Sequence, residues 1–253
     1  MNNTLKKESL TTRKLILVSV LGAITIVLGM TPLGFIPLGV INATTMHIPV
    51  IVASIIEGPI VGGLVGLIFG LSSLFNALLK NASPVSFVFY NPLISVLPRV
   101  LIGITSYYAY KAFENFPVKK LRIFSKIIWS VITAFLIFFM VKNFGQMSTA
   151  NRIYMTIFLA ASLGITIYSF FKINDNFPVV IGAFVGSMTN TVFVLGGIYL
   201  LFAKKYMAAL GMPLENAKAA ILGVSITSGI PEAILSIIIT TAVVKAIKVY
   251  YRS

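Results

Sequence analysis

The chain contains no cysteine and very few charged residues. Among its 253 residues histidine occurs once and acidic residues six times. Without cysteine, disulfide bonds, thiolate catalysis and thiolate metal ligation are excluded, and a single histidine excludes a multi-histidine metal site. Charged residues make up 10% of the chain, whereas a soluble domain has about a quarter, because its surface must face water. Most of this protein's surface must therefore face something else.

Hydrophobic residues make up 58% of the chain, and the mean hydropathy is +0.98. Apolar stretches of about 18 or more residues recur along it, which is typical of bilayer-spanning helices. The net charge of +14 does not form one patch, because the basic residues cluster at the ends of hydrophobic segments. This pattern indicates cytoplasmic anchors and anionic lipid headgroups rather than nucleic acid. We therefore predict an all-α integral membrane bundle.

Eight hydrophobic segments are predicted along the chain. Turns rich in Pro, Gly, Asn or basic residues separate them, and the first loop, residues 31–45, is apolar enough that we expect it to fold back onto the protein. The segments span Leu15–Met30, Met46–Ile56, Ile60–Leu79, Pro92–Tyr110, Ile127–Val141, Ile153–Phe171, Pro178–Phe202 and Ala219–Ile247.

An even number of segments places both termini on the same side of the membrane. With cytoplasmic termini, more than twice as many Lys and Arg residues fall inside as outside, as the positive-inside rule favours. The localisation predicted is a multi-pass cell membrane protein. The loops at residues 31–45 and 80–91 then both face outward, which is a first indication of a binding site there.

Three of the polar residues within predicted spans are candidates for function, because strongly polar groups there are rare and tend to be functional. Arg99 has no acidic neighbour in its own segment, so it either reaches the headgroups or binds a carboxylate, carbonyls or an anionic ligand. Glu232 follows Pro231, which removes a helix hydrogen bond and frees carbonyls. It could accept a ligand hydroxyl or amide, or pair with Arg99. Asn190 either lines the same cavity or forms an interhelical hydrogen bond.

The two outward loops supply further candidates for substrate binding. Asn42, Thr44 and His47 lie where the first loop enters the second segment. A lone histidine is more often structural than a ligand, but several polar groups that converge at one cavity mouth favour binding. Phe89 and Asn91 end the second outward loop and complete the candidate set.

Small residues repeat at four-residue spacing on several predicted helices. Gly62, Gly66 and Gly70 do so on the third segment, and such stripes let helix backbones approach closely in lipid. We expect this stripe to serve internal packing. Ser19 and Ala23 form a similar pair on the first segment, which could lie at the periphery, so an interface with a partner protein is more plausible there.

Motifs for catalysis are absent. The sequence contains no Walker phosphate loop, no paired acidic motif for a metal-dependent membrane transferase and no nucleophile–base pair. We therefore predict a protein that is not an enzyme and needs no metal or cofactor. A membrane-embedded lipid enzyme and an autonomous secondary carrier remain as alternatives, although we find no convincing internal duplication of the kind that carriers commonly show.

Several stretches in the order found here are shared with one known family. The chain resembles the substrate-binding S component of energy-coupling factor (ECF) vitamin transporters over roughly 190 residues. The stretches that carry the resemblance are Leu10–Lys14, Thr31–Pro37, Ile41–Pro49, Gly58-Pro59, Pro98–Gly103, Gly186–Thr191, Val194–Gly196 and Pro231-Glu232.

This resemblance implies a six-helix bundle that captures a vitamin on the outer face under the first loop. It also implies docking, through Ser19 and Ala23, on a membrane scaffold subunit that carries two cytoplasmic ATPase subunits. One departure is large, because residues 115–177 add two hydrophobic spans. We therefore expect a single transmembrane domain, 1–253, with an S-component-like core at 1–114 and 178–253 and an inserted pair at 115–177.

The stretch from Asn42 to Pro49 looks most like the pantothenate-type branch of the family. On that resemblance Arg99 would pair with the pantothenate carboxylate, and the predicted polar residues would bind its hydroxyl and amide groups. Folate, which also carries carboxylates, and riboflavin, which would stack on aromatic rings, remain alternative substrates. The predicted substrate-binding residues are Asn42, Thr44, His47, Phe89, Asn91, Arg99, Asn190 and Glu232.

Overall fold

A computed structural model describes residues 11–31, 34–37, 42–80, 83–143, 145, 149–171 and 177–250. The described residues form an all-α membrane bundle with one short β-ribbon, so the predicted fold class is confirmed. The helices are α1 (Thr12–Met30), α2 (Ile48–Glu57), α3 (Pro59–Lys80), α4 (Pro92–Ser95), α5 (Leu97–Glu114), α6 (Val118–Asn143), α7 (Thr149–Phe171), α8 (Phe177–Ala209), α9 (Ala217–Val224) and α10 (Ile230–Tyr250).

Each predicted hydrophobic segment corresponds to a helix or to two helices in sequence. Among the described residues, six helical stretches are long and apolar enough to cross a membrane. The other two, α2 and the apolar part of α7 at Met155–Ile167, are shorter, as the sequence indicated for α2. The six long stretches are Thr12–Met30, Pro59–Leu79, Pro92–Glu114, Ile123–Lys142, Phe177–Ala209 and Leu214–Ile247.

Two of the spans are interrupted where the sequence places proline. The fourth segment breaks at Val96, between α4 and α5, just before Pro98. The last segment contains one π-helical turn, Ser225–Gly229, before Pro231. Proline cannot donate the hydrogen bond that residue 231 of an α-helix would give to the Thr227 carbonyl, and a wider turn accommodates that loss. The irregular backbone predicted near Glu232 is thus present.

Helix α5 lies at the centre of the bundle and packs most extensively against α8 and α3. Gly66 and Gly70 of α3 face the start of α5 so closely that a β-carbon at either would collide with backbone atoms, and a β-carbon at Gly62 would collide with Ser54 of α2. Gly103 of α5 in turn faces the backbone of Gly62. The glycine stripe therefore serves internal packing, as predicted, because helices in lipid associate through close van der Waals contact.

The first loop contains a two-stranded antiparallel ribbon that the sequence did not predict. Strands β1 (Phe35–Pro37) and β2 (Asn42–Thr44) pair with Phe35 opposite Thr44. Strand β2 contacts α10 and the π-helical turn, so the loop does fold back onto the bundle. The rest of the apolar loop, residues 32–33 and 38–41, lies outside the described residues.

Helices α6 and α7 pack chiefly against each other and have small contacts with α8 and α10. Hydroxyl groups connect the pair: Thr133 Oγ1 lies 2.6 Å from Ser162 Oγ and 2.9 Å from Thr166 Oγ1. Thr166 also donates to the Trp129 carbonyl at 3.2 Å. Helix α1 packs on α2 and α3, whereas the α6–α7 pair contacts α8 and α10.

Candidate functional site

A cavity of about 180 Å³ lies between the β-ribbon and the middle of the bundle. Five of the eight predicted substrate-binding residues line it, from five separate elements of the chain. Residues that are up to nearly 190 positions apart in the sequence thus lie around one cavity. The five are Thr44, Phe89, Arg99, Asn190 and Glu232.

Arg99 is buried in the first turns of α5, with a relative exposure of 6%. The break between α4 and α5 directs its Nη1 to donate a hydrogen bond to the Ile94 carbonyl. Its guanidinium carbon lies 5.3 Å from the ring centroid of Phe69 and 5.5 Å from that of Phe89, within the range of cation–π attraction. Nε has no hydrogen-bond partner among the described residues. The cation is thus held in place by rings while part of its donor capacity is unused.

Glu232 is buried in the first turn of α10, and its Oε1 accepts a hydrogen bond of 2.7 Å from the Thr44 backbone N–H. The carboxylate therefore connects the β-ribbon to the last span. Among the residues that the structure describes, the ion pairs do not include one between Arg99 and Glu232. Two opposite charges thus line one cavity without a direct contact, which leaves room for a ligand between them.

Helix α8 and the π-helical turn contribute two further polar groups with unused hydrogen-bonding capacity. Asn190 Oδ1 and Ser228 Oγ are buried, and neither has a partner within the described part of the chain. A buried polar group without a partner is costly, so these atoms are suited to a ligand that supplies donors. Ser228 was not among the predicted substrate-binding residues, although it lies in the π-helical turn shortly before Pro231 and Glu232.

Three predicted residues do not line the cavity. His47 is fully buried before α2, and neither ring nitrogen has a partner in the part of the chain that the structure describes. The Asn91 side chain accepts a hydrogen bond of 2.9 Å from the Leu93 N–H and so caps α4. Asn42 lies in β2, but its side chain is outside the described part of the chain. The presence of Asn at position 91 is thus explained by helix capping, because Asn is a favoured N-cap residue and Pro is favoured at the first helical position.

Apolar residues complete the cavity wall, and little in the sequence pattern distinguishes them from other span residues. Phe69 lies on the glycine-bearing face of α3, three residues after Gly66, so the stripe itself could have indicated it. The remaining lining residues are ordinary span residues whose position depends on the helix rotation: Met46, Thr191, Val194, Leu195, Val224 and Gly229.

The predicted docking pair on α1 lies on the outer surface of the bundle. Ser19 and Ala23 are both exposed, and the Ser19 hydroxyl donates to the Leu15 carbonyl at 3.0 Å. The opposite face of α1 is buried through Gly22, Thr25 and Gly29. The small-residue pair therefore faces away from the bundle, where a partner could approach it.

A larger cavity, of about 760 Å³, lies at the opposite end of the bundle. The start of α1 and the ends of α2, α5 and α10 line it. Two ion pairs occupy its wall, Arg13 with Glu57 at 2.7 Å and Lys111 with Glu114 at 2.6 Å. Both of its carboxylates are thus in ion pairs, whereas no ion pair joins Arg99 and Glu232 of the smaller cavity among the described residues. Among the described residues, no cluster of three or more His, Asp or Glu could hold a metal ion.

Two comparisons with known proteins bear on the chain as a whole. The family model described as "ECF transporter, substrate-specific component" matches residues 13–244. The pantothenic acid transporter PanT of Lactococcus lactis subsp. cremoris (strain MG1363) is 28% identical over 222 residues, which cover 82% of this chain and 78% of the relative. The match to the family model extends across the segment 115–177 as well as the flanking helices.

Proposed function

This chain belongs to the family of ECF transporter substrate-specific components, and we propose that it captures pantothenate from outside the cell for an ATPase-driven transporter. The family is one of transporter components and not of enzymes. The name of the Lactococcus relative, a pantothenic acid transporter, supports pantothenate as the substrate. The cavity that contains Arg99 and Glu232 is the proposed binding site.

The observation that carries this proposal is the state of Arg99. Its guanidinium is buried beside a cavity, with Nε unpartnered and without an ion-pair partner among the residues described. A cation at this depth is costly unless an anion or several acceptors satisfy it. Pantothenate carries one carboxylate, which a guanidinium binds well because two parallel hydrogen bonds can form. We infer that the substrate supplies the missing anion.

The other cavity residues match the rest of pantothenate. Glu232 can accept from a hydroxyl group, and Asn190 can both donate to and accept from the central amide. Val194 and Leu195 offer apolar contacts for the two methyl groups. The cavity volume of about 180 Å³ is below the ~300 Å³ at the lower end of most ligand pockets. A small vitamin therefore fits better than folate or riboflavin, which are larger.

Three residues outside the cavity have other proposed roles. His47 and Asn42 flank the β-ribbon segment that borders the cavity, and we propose that they reach the substrate after the ribbon shifts on binding. We propose that Asn91 holds the loop that carries Phe89 through its cap on α4. This assignment keeps Asn91 as a residue that shapes the site rather than one that contacts the vitamin.

Delivery requires partners, which we propose from the family. An ECF scaffold subunit in the membrane, carrying two cytoplasmic ATPase subunits, would dock on the exposed Ser19–Ala23 face of α1. The α6–α7 pair packs on α8 and α10 rather than on α1, which supports its assignment as an insertion, at 115–177, into a core of 1–114 and 178–253. Both termini are proposed to be cytoplasmic, with the β-ribbon outside.

The experiment that tests the function is equilibrium binding to the purified protein without ATP. The ligands are pantothenate, folate, riboflavin, thiamine and biotin, and circular dichroism confirms the helical content of the protein used. Selective binding of pantothenate supports the proposal. Selective binding of another vitamin refutes the substrate, and binding of none of the five by folded protein refutes vitamin capture at this site.

A further inference from the structure

We propose that Glu232 is a positioning residue that holds the β-ribbon against the last span and thereby controls the opening of the cavity. The contact is the hydrogen bond of 2.7 Å from the Thr44 backbone N–H to Glu232 Oε1. This inference deepens the proposed function, and its meaning for vitamin uptake rests on that function. The contact itself is a property of the protein without substrate.

The pairing of the two strands leaves the Thr44 N–H free for this role. In an antiparallel pair, residues that exchange hydrogen bonds alternate with residues that do not. Thr45 donates to the Gly34 carbonyl at 3.0 Å, and Thr44 lies opposite Phe35. Thr44 therefore belongs to a non-hydrogen-bonded pair, so its N–H points away from β1. The ribbon has no internal use for this donor.

The backbone of the last span brings Glu232 to the ribbon. The π-helical turn Ser225–Gly229 contacts both α8 and β2. A β-carbon at Gly229 would lie 2.7 Å from Thr191 Cγ2, so only glycine permits this approach to α8. Pro231 follows at the start of α10 and fixes the backbone before Glu232. The carboxylate thus extends from a close-packed and interrupted segment rather than from a regular helix.

Burial makes the contact costly to break. Glu232 is 7% exposed, and a hydrogen bond to an ionised carboxylate is stronger than one between neutral groups, especially away from water. If the ribbon moves away, the carboxylate loses its donor and must find another. A ligand hydroxyl or amide supplies such a donor, and a carboxylate can accept several hydrogen bonds at once. The ribbon and the substrate are therefore coupled through one side chain.

The absence of cysteine from the chain allows a direct measurement of cavity opening. Val194 lines the cavity and is buried, so a Val194→Cys variant reports access through its reaction rate with a water-soluble methanethiosulfonate. In this background, Thr44→Pro removes both the N–H and the hydroxyl, which also bonds Glu232, whereas the control Thr44→Ala removes the hydroxyl alone. Because this N–H lies outside the ladder, a strand tolerates proline there. We expect labelling to accelerate about tenfold or more, given the strength of a charged hydrogen bond.

Two controls separate the contact from general loosening of the ribbon. Asn42→Pro removes another N–H of β2 that, by the same alternation, points away from β1, and it leaves the Thr44 donor in place, so labelling should stay close to the parent rate. Glu232→Leu should accelerate labelling, and Thr44→Pro should then add little, because both changes remove one contact. Equal acceleration by Asn42→Pro, additive effects in the double variant, or an unchanged rate in Thr44→Pro would overturn the proposal.

The measurement does not depend on the identity of the vitamin. Labelling is done without substrate, so failure of pantothenate to bind leaves the result valid. A second series with pantothenate present then tests the coupling. If the proposal and the function both hold, Thr44→Pro raises the dissociation rate of bound pantothenate more than Thr44→Ala does, because the alanine variant loses the same hydroxyl but keeps the N–H. If the two variants release it at the same rate, Glu232 does not position the ribbon over the substrate.

Discussion

Gly66 of α3 lies directly against the carbonyl of Arg99 on α5, so that a β-carbon at position 66 would collide with it. This contact links the glycine stripe to the cavity, because the same turn of α5 that packs on Gly66 carries the buried cation. The stripe therefore sets the depth at which the guanidinium meets Phe69 and Phe89. Helix packing and the geometry of the proposed site cannot be changed independently here.

A Gly66→Ala variant should be destabilised and should bind the substrate less tightly. The added methyl group forces α3 and α5 apart, and overpacking of this kind costs about 1–3 kcal/mol. Gly63→Ala is the matched control, because a β-carbon there meets only Val100 Cγ1, at 3.9 Å. Thermal unfolding in detergent measures the difference. Equal melting temperatures for the two variants would contradict the role of the stripe.

Arg99 should recognise the carboxylate of the substrate specifically. The alcohol analogue pantothenol has a hydroxymethyl group in place of the carboxylate, so wild-type protein should bind it much more weakly than pantothenate. Loss of a hydrogen-bonded charge partner in a buried site costs about 2–5 kcal/mol, which corresponds to at least roughly thirtyfold in affinity.

The Arg99→Gln variant should bind both compounds with similar, weak affinity, because the discriminating charge is gone. Isothermal titration of both ligands against both proteins gives the coupling. Phe89→Leu serves as a control that alters the cation–π contact without removing the charge, and it should retain the preference for pantothenate. A preference that persists in Arg99→Gln would show that the carboxylate is bound elsewhere.

The sequence predicted the spans well, because length and hydropathy alone determine whether a helix can cross a bilayer. All eight segments were found, and the ends of most lie within a few residues of those observed. The β-ribbon was missed, since Phe35–Pro37 and Asn42–Thr44 are too short for a period-two pattern. The sequence predicted an irregular helix around Pro231, because proline has no backbone N–H to donate, but it did not predict that the irregularity is a π-helical turn.

The cavity could be predicted in part. Arg99, Asn190 and Glu232 were identifiable because polar groups in spans need a reason to be there. Val194 and Leu195 were not, because an apolar residue looks the same whether it faces lipid, a neighbouring helix or a cavity. Asn91 was predicted to bind substrate because it lies in a loop predicted to face outward. Its position directly before Pro92 indicates instead a residue that caps the start of a helix, and that signal was overlooked.

The exposed pair on α1 should be required for assembly with the transporter module and not for substrate binding. An Ala23→Trp variant places a large side chain on the proposed docking face, where close helix approach needs small residues. We expect copurification with the scaffold and ATPase subunits to be lost while the affinity for pantothenate is kept. Leu200→Trp is the control, since Leu200 is 80% exposed and lies on α8 rather than on α1. Loss of copurification in both variants, or in neither, would argue against docking through α1.

The orientation of the protein can be tested with single cysteines, because the chain has none of its own. Ser83 lies in the loop that carries Phe89, and Lys119 lies at the start of α6; both are exposed. If the cavity opens to the outside, a membrane-impermeant maleimide should label Ser83→Cys in intact cells and Lys119→Cys only after permeabilisation. The basic residues around Lys119 favour this arrangement through the positive-inside rule. The reverse pattern would place the cavity on the cytoplasmic side, and capture from outside the cell would then be excluded.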